Sequence, residues 1–215
     1  MTLPLKPVIG LIGSIGAGKS AAAKALANHG GFVIDADKLG HDAIQRQGVI
    51  ASISRRWGDG ILKPDGSVNR RALAAIVFAD ASARKDLEAF MFPAITRMMS
   101  EQMTASQTNA AVRFIVIDAP VLLEAGWKNA CDKLLFVDAP RAVRLARVKE
   151  RNGWTDAELS AREAAQMPVE QKKALADAVI VNDGSFDDLQ QKVDRVLTDW
   201  QLLDGNEKDV TWRTK

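Results

Sequence analysis

The sequence predicts an α/β fold in which a parallel sheet is covered by helices. Three observations carry this expectation: five short apolar runs, helix-favouring stretches between them, and a glycine-rich turn joining the first run to the first helix. Strands buried on both faces lose the alternation of a half-exposed strand and read as near-continuous Val, Ile, Leu and Phe, as these do.

The first run is Val8-Ile9-Gly10-Leu11-Ile12. After the turn, Ala21-Ala22-Ala23-Lys24-Ala25-Leu26-Ala27 has high helix propensity and stops at Gly30-Gly31. Further runs follow at Phe32-Val33-Ile34-Asp35, Phe114-Ile115-Val116-Ile117-Asp118, Leu134-Leu135-Phe136-Val137-Asp138 and Ala178-Val179-Ile180-Val181. About 20 residues separate the first two, whereas 78 lie between Asp35 and Phe114, far more than a crossover needs. An inserted helical subdomain is therefore expected there. Leu73, Ile76 and Val77, then Leu87, Phe90, Met91, Ile95, Met98 and Met99, recur at helical spacing within it, with Pro93 expected to kink or break the second run. The methionines read as core packing. A second helical excursion, rich in arginine, lies between Val137 and Ala178, and a terminal helix is expected over about Ser185 to Leu203. Asp204 onward is polar and expected to fray.

Composition narrows the function. The 215 residues are 47% hydrophobic and 26% charged, which supports a real core and excludes a disordered tail or a disulfide-stapled miniprotein. Lys plus Arg is 29 against 27 Asp plus Glu, a net charge of +2 too balanced for a general nucleic-acid binder, so an anionic partner must find a local site. The single cysteine, Cys131, closes no internal disulfide, and two histidines give no zinc-like cluster; a reducing, cytoplasmic home is the simplest expectation. Residues 1–13, with Lys6, Pro4 and Pro7, lack the basic region and long apolar run of a secretion signal, and no stretch approaches the roughly 20 apolar residues of a membrane span.

Gly13-Ser14-Ile15-Gly16-Ala17-Gly18-Lys19-Ser20 satisfies GxxxxGK[ST] between a predicted strand and helix. Glycines allow the dihedrals that turn successive N–H groups onto phosphate oxygens, the helix N-terminus adds a favourable dipole, Lys19 reaches the terminal phosphates, and the Ser20 hydroxyl ligates Mg²⁺. The chain's own residue frequencies give about 0.006 such matches by chance.

Asp118 ends an apolar strand, where a phosphate-loop protein keeps the carboxylate that holds Mg²⁺; the alternative is a helix or turn cap. Asp35 and Asp37 flank Ala36 at the exit of the second strand, so either could face a ligand over the carboxyl edge or cap a helix beginning near Lys38. The full capping box is absent, since position 40 is glycine. Arg144, Arg147 and Arg151 share a helix face by spacing, which fits either a solvated basic stripe or a lid that carries guanidinium groups onto a transferring phosphoryl group. A GTPase reading fails, because Asn206-Glu207-Lys208-Asp209 scrambles the Asn-Lys-x-Asp order and lies in the tail. The uneven strand spacing instead fits a small-molecule kinase with an inserted acceptor domain and a lid.

At this level the chain resembles the dephospho-coenzyme A kinase family. The likeness rests on seven blocks in family order. They are Gly10 to Ser20; Val33-Ile34-Asp35-Ala36-Asp37-Lys38; Asp65-Gly66-Ser67-Val68-Asn69-Arg70-Arg71-Ala72-Leu73 with Val77-Phe78; Asp118-Ala119-Pro120-Val121-Leu122-Leu123-Glu124; Arg147 and Arg151; Ala165-Gln166; and Ala176 to Gly184. The Asp-Ala-Asp and Asn-Arg-x-x-Leu blocks discriminate it from other phosphate-loop families. Departures are Ser14 for a glycine, Ala21 for a threonine, Phe92-Pro93 for a His-Pro pair, and Arg144 for a glutamine.

The resemblance implies a three-layer phosphate-loop fold with a five-stranded parallel sheet. Its nucleotide core would be about 7–37, 109–146 and 174–203, its acceptor insertion about 38–108, and its lid about 147–173. It implies ATP-dependent phosphorylation of the ribose 3′-hydroxyl of dephospho-coenzyme A, with Mg²⁺ on Ser20 and Asp118 and no nucleic-acid, membrane or obligate protein partner. Gly13, Gly16, Ala17, Gly18, Lys19, Ser20 and Ala21 would bind ATP, Arg147 and then Arg151 would neutralise the γ-phosphoryl group, and Asn182 and Gly184 would lie near the adenine. Asp37 is implied as the base and Arg70 as a contact to an acceptor phosphate. A kinase for another small alcohol and a non-catalytic ATP-binding module remain the rival expectations.

Overall fold

The computed structural model describes residues 5–203, which form two compact units: one from residues up to Ile34 and from Ala105 onward, the other Asp35–Thr104. The tail motif at Asn206 to Asp209 and the fraying expected from Asp204 lie outside the described residues.

The first unit is built on a five-stranded parallel sheet of β1 (Val8–Gly13), β2 (Gly31–Asp35), β3 (Phe114–Asp118), β4 (Lys133–Asp138) and β5 (Ala178–Val181), in the order β2-β3-β1-β4-β5. Leu11 is registered with Asp118, Gly13 with Val137, and Asp138 with Val181. With all strands running the same way, the ends of β1, β3, β4 and β5 share one carboxyl edge, the edge at which open α/β sheets bind ligands.

Every residue of the central strand β1 is buried, which accounts for its unbroken apolar run. On one face Ile9, Leu11, Val116, Leu135, Val137 and Ile180 pack against α1 (Lys19–Ala27) and α9 (Phe186–Asp199) through Ala22, Ala25, Leu26, Leu189, Val193 and Leu197. Small alanines on α1 let that helix approach the sheet closely. α9 begins one residue later than the sequence suggests and ends at Asp199. Ser185 and Asp188 cap it reciprocally, and Trp200 and Leu202 stay buried beyond its end. Between β4 and β5 the chain forms α6 (Arg141–Asn152), α7 (Asp156–Ala164) and α8 (Val169–Ala174).

The second unit contains α2 (Ala36–Ala43), α3 (Gln47–Trp57), α4 (Arg70–Ala79) and most of α5 (Ala81–Gln107). A hairpin-like loop joins α3 to α4, with Leu62 bridging Val68 and a turn at Lys63 to Gly66. Its core gathers Ile44, Val49, Ile53, Ile61, Val68 and Leu73, with Phe90, Met91 and Ala94 from α5 packed against them.

Two expectations are corrected here. α5 neither breaks nor ends at Pro93; it continues to Gln107. A helix-interior proline costs about 3 kcal/mol. Apolar side chains buried after it, Ile95, Met98 and Met99, contribute about 1.5–3 kcal/mol each, and Leu87, Phe90 and Met91 before it pack against the second unit's core, which together outweigh that cost. α2 starts at Ala36 and not near Lys38, because Asp35 accepts from Lys38 N at 3.0 Å and caps it. Among the described residues, no helix is long and apolar enough to cross a membrane.

Candidate active site

The loop from Gly13 to Ser20 emerges from β1 at the carboxyl edge and enters α1. Its shape is set by close backbone packing: Ser14 N donates to Val137 O at 3.2 Å, and a Cβ on Gly13 would sit 2.3 Å from that same carbonyl. Gly16 and Gly18 have φ of 78° and 92°, and only glycine takes such angles without strain. A Cβ at Gly18 would also lie 2.2 Å from Asn182 Nδ2.

Lys19 and Ser20 are the first two residues of α1, and Ala21 and Ala22 N–H both donate to Gly18 O. Lys19 is half-buried, and Ser20 is exposed at the helix N-terminus. Loop N–H groups, helix dipole and ammonium together make an anion site for a polyphosphate.

Ala17 shows how tightly this loop is held. Its carbonyl accepts from Asn182 Nδ2 at 2.8 Å and from Arg147 Nη1 at 3.2 Å, and Arg147 Nη1 also reaches Asn182 O at 3.1 Å. Asn182 is buried, so its amide nitrogen is committed to the loop. Arg147 is anchored through one nitrogen only; its Nη2 and Nε have no protein partner among the described residues. Gly184 lies just before α9, on the wall of a cavity of about 310 Å³ with Asp183, Lys192 and Arg195. Lys192 holds the Asp183 carboxyl below its ordinary range by a side-chain hydrogen bond.

The arginine stripe divides by function. Arg144 is buried: its Nε donates to Ala139 O at 3.0 Å, and its Nη1 donates to Ile15 O at 3.2 Å and pairs with Glu163. It braces the loop against α7, so the solvated-stripe reading fails for it. Arg141 clasps α6 to α7 through Asp156 and Ser160. Arg151 is exposed, with Nε on Asn152 Oδ1, and takes no part in the Ala17 cluster.

Two pairings escaped the sequence. Asp138, at the end of β4, accepts from Ser14 Oγ at 3.2 Å and pairs with Lys173 Nζ at 2.7 Å. That hydrogen bond raises the Lys173 pKa. The strand-end position, the same signal that marked Asp118, could have singled out Asp138. The second pairing holds the loop after Asp118. Buried Lys172 pairs with Glu124 at 3.0 Å and also reaches Pro120 O and Gln166 Oε1, while Met167 N–H donates to Glu124. Burial alone would raise Glu124, but the backbone N–H bonds and the Lys172 ammonium outweigh it and hold the carboxyl below its ordinary range.

Asp118 is half-buried at the end of β3. It and Ser20 are hard oxygen donors, and among the described residues no group of three or more His, Cys, Asp or Glu gathers as a metal cage. That donor set fits Mg²⁺, which commonly takes one or two protein oxygens and completes its shell with phosphates and water. Cys131 does not fit a nucleophile: burial first, then Asp132, pushes its thiol up to about 12.

In the second unit the structure shows which of the two aspartates caps α2. Asp35 caps α2, whereas Asp37 is exposed in the helix's first turn and does not serve as the cap. Arg70 is the first residue of α4, exposed, next to the capping Asn69.

The dephospho-CoA kinase family model matches residues 7–188. Curated dephospho-CoA kinases of Geobacter sulfurreducens and Anaeromyxobacter dehalogenans are 40% and 42% identical, over 88% and 89% of this chain and 96% and 91% of theirs. Among solved structures, the dephospho-CoA kinase of Campylobacter jejuni is 27% identical with a TM-score of 0.67, covering 90% of this chain and 96% of its own. A Thermus thermophilus protein reaches 35% and 0.77, covering 91% and 98%. Shikimate kinase from Acinetobacter baumannii, at 14% identity and a TM-score of 0.52 over 92% and 96%, shares the fold.

Proposed function

The chain belongs to the dephospho-coenzyme A kinase family, and from that membership we propose that it transfers the γ-phosphoryl group of ATP to the ribose 3′-hydroxyl of dephospho-coenzyme A. The products are coenzyme A and ADP, and the step completes coenzyme A synthesis. The observation that carries the reading is the phosphate loop locked at Ala17 by Asn182 and Arg147. It is a rigid anion cradle with a guanidinium fastened at its rim.

In this reading the N–H groups of residues 13–21 and Lys19 bind the β- and γ-phosphates, and their positions are fixed before the nucleotide arrives. That preorganisation favours the transition state, because no dipole has to turn as charge moves. Arg147, held by Nη1, offers Nη2 and Nε to the transferring group, with Arg151 as a secondary cation. Asn182 and Gly184 take the adenine end. Mg²⁺ is assigned to Ser20 and Asp118, where it would neutralise phosphate charge. Asp37 accepts the proton of the acceptor hydroxyl, Arg70 contacts an acceptor phosphate, and residues 38–108 serve acceptor binding with 147–173 as the lid. ATP and dephospho-coenzyme A are the partners assigned, and the cytoplasm is the compartment.

Arg147→Ala should lower kcat by about 10²-fold, since a guanidinium acts most strongly as charge reaches the transferring oxygens. ATP affinity should fall by roughly tenfold at most, from loosening at Ala17. Comparing kcat with the ATP Kd checks this; equal losses in both would make Arg147 a ground-state ligand only.

A panel of acceptors assayed with ATP tests the function. Dephospho-coenzyme A should give the highest kcat/KM by orders of magnitude over nucleosides and shikimate. Preference for another alcohol, or nucleotide binding without any phosphorylated acceptor, contradicts it.

A further inference from the structure

α8 carries two consecutive lysines, Lys172 and Lys173, and the reaction as read above uses neither. β3 and β4 are the neighbours of β1 on its two sides, so their ends flank the phosphate loop. Each brings a carboxylate outside the assigned site: Glu124 in the loop after β3, and Asp138 at the last position of β4. Adjacent positions on a helix point about 100° apart. α8 accordingly sends one ammonium to each carboxylate, Lys172 to Glu124 at 3.0 Å and Lys173 to Asp138 at 2.7 Å.

The two pairs differ in what they touch. Lys172 is buried and its ammonium is fully engaged, by Glu124, by Pro120 O at 3.4 Å and by Gln166 Oε1 at 3.2 Å. Asp138 reaches the phosphate loop itself. Its Oδ1 accepts from Ser14 Oγ at 3.2 Å, and its Oδ2 takes Lys173. Its carbonyl accepts from Asn182 N at 2.7 Å, and Asn182 in turn holds Ala17 O. Side-chain exposures of 18% for Asp138 and 31% for Lys173 shield the pair in part, which separates it from a solvent-screened surface bridge. Glu170 is a weaker partner for Lys173, 3.8 Å away and 86% exposed, and Arg144 is committed to Glu163.

A carboxylate hydrogen-bonded to a loop that binds a polyphosphate opposes its ligand. At roughly 10 Å and an effective dielectric near 20, one uncompensated negative charge weakens the binding of a further negative charge by about tenfold. Asp138 nevertheless supplies the acceptor that fixes Ser14, and Lys173 removes the repulsion while leaving that acceptor in place. We propose that Lys173 is a positioning residue for ATP: acting through Asp138, it cancels the charge of the carboxylate that anchors Ser14, so the phosphate loop is held by an anion without repelling the polyphosphate. The inference rests on the ATP-dependent reading above and gives α8, a helix outside the loop and its arginines, a part in nucleotide affinity.

The test is calorimetric titration of ATP with Mg²⁺ into wild type, Lys173→Met and the double variant Lys173→Met/Asp138→Asn, with thermal unfolding and kcat measured beside each. Lys173→Met should raise the ATP Kd by about 10-fold, because Asp138 is left uncompensated. Its kcat at saturating ATP should change by less than about threefold, since the repulsion acts on bound ATP and on the transition state alike. Adding Asp138→Asn removes the orphaned charge and keeps an oxygen for Ser14, so the double variant should return to within about threefold of the wild-type Kd. Lys173→Gln should show the same loss as Lys173→Met, and Lys173→Arg, which keeps the charge, should recover most of it. A pair that only stabilises the fold would shift the unfolding temperature and leave the ATP Kd of the folded protein where it was. An unchanged Kd in both Lys173→Met and Lys173→Gln, or a weakened Kd that Asp138→Asn does not restore, would overturn the inference alone. Wild-type protein that binds no ATP would overturn the functional reading, and this inference with it.

Discussion

Lys19→Ala yields a folded protein whose turnover of dephospho-coenzyme A falls by about 10³-fold or more. The expectation follows from where the residue sits. Lys19 opens α1, whose contribution to the core is made by Ala22, Ala23, Ala25 and Leu26, so removing the ammonium leaves the packing against the sheet intact. In the proposed reading, what disappears is a positive charge over the β- and γ-phosphates that neither the fixed backbone N–H groups nor Arg147, tethered at Ala17, can move to replace. Circular dichroism and thermal unfolding should match wild type while kcat/KM collapses. Unchanged turnover in a folded variant would remove the phosphate loop from the mechanism.

Asp37→Asn should lower kcat by about 10²- to 10⁴-fold with ATP affinity little changed. The substitution keeps the size and one acceptor oxygen but removes the negative charge that, in the proposed mechanism, takes up the hydroxyl proton. The neighbouring Asp35 provides an internal control. Its carboxylate caps α2, so Asp35→Ala should cost about 0.5–2 kcal/mol of stability with a small kinetic effect. Asp35→Asn, an equally good cap, should do little to either. Single-turnover phosphorylation beside thermal unfolding separates the two. If Asp35→Asn stops the chemistry and Asp37→Asn does not, the roles are reversed. If neither does, positioning and electrostatics carry the reaction without a carboxylate base.

The pair also shows how far the sequence could be read. Asp-Ala-Asp places two carboxylates at a strand exit, but the choice between cap and base depends on where α2 begins, and a single N–H···O bond from Lys38 to Asp35 decides that. The central strands β1, β3 and β4 were legible because burial on both faces leaves a near-continuous apolar run, whereas the edge strands β2 and β5, the latter with Val179 and Val181 exposed, were legible only as short runs rich in β-branched residues. The phosphate loop was legible because its spacing is a backbone requirement. Arg144 was not: its spacing matches Arg147 and Arg151, and only the approach of Ile15 O, Ala139 O and Glu163 makes it a buried brace. Asp138 hid for the same reason, since its partners Ser14 and Lys173 reach it from two separate segments. The break expected as one outcome at Pro93 does not occur because local backbone rules lost to packing along α5.

The most direct measurement of the central claim is the identity of the product formed from ATP and dephospho-coenzyme A, read by mass and by ³¹P NMR. The account predicts coenzyme A carrying one new phosphate on the ribose 3′-oxygen, one ADP released for each molecule formed, and no ADP without the acceptor. ADP release independent of the acceptor, or a phosphate on any other oxygen, would contradict it.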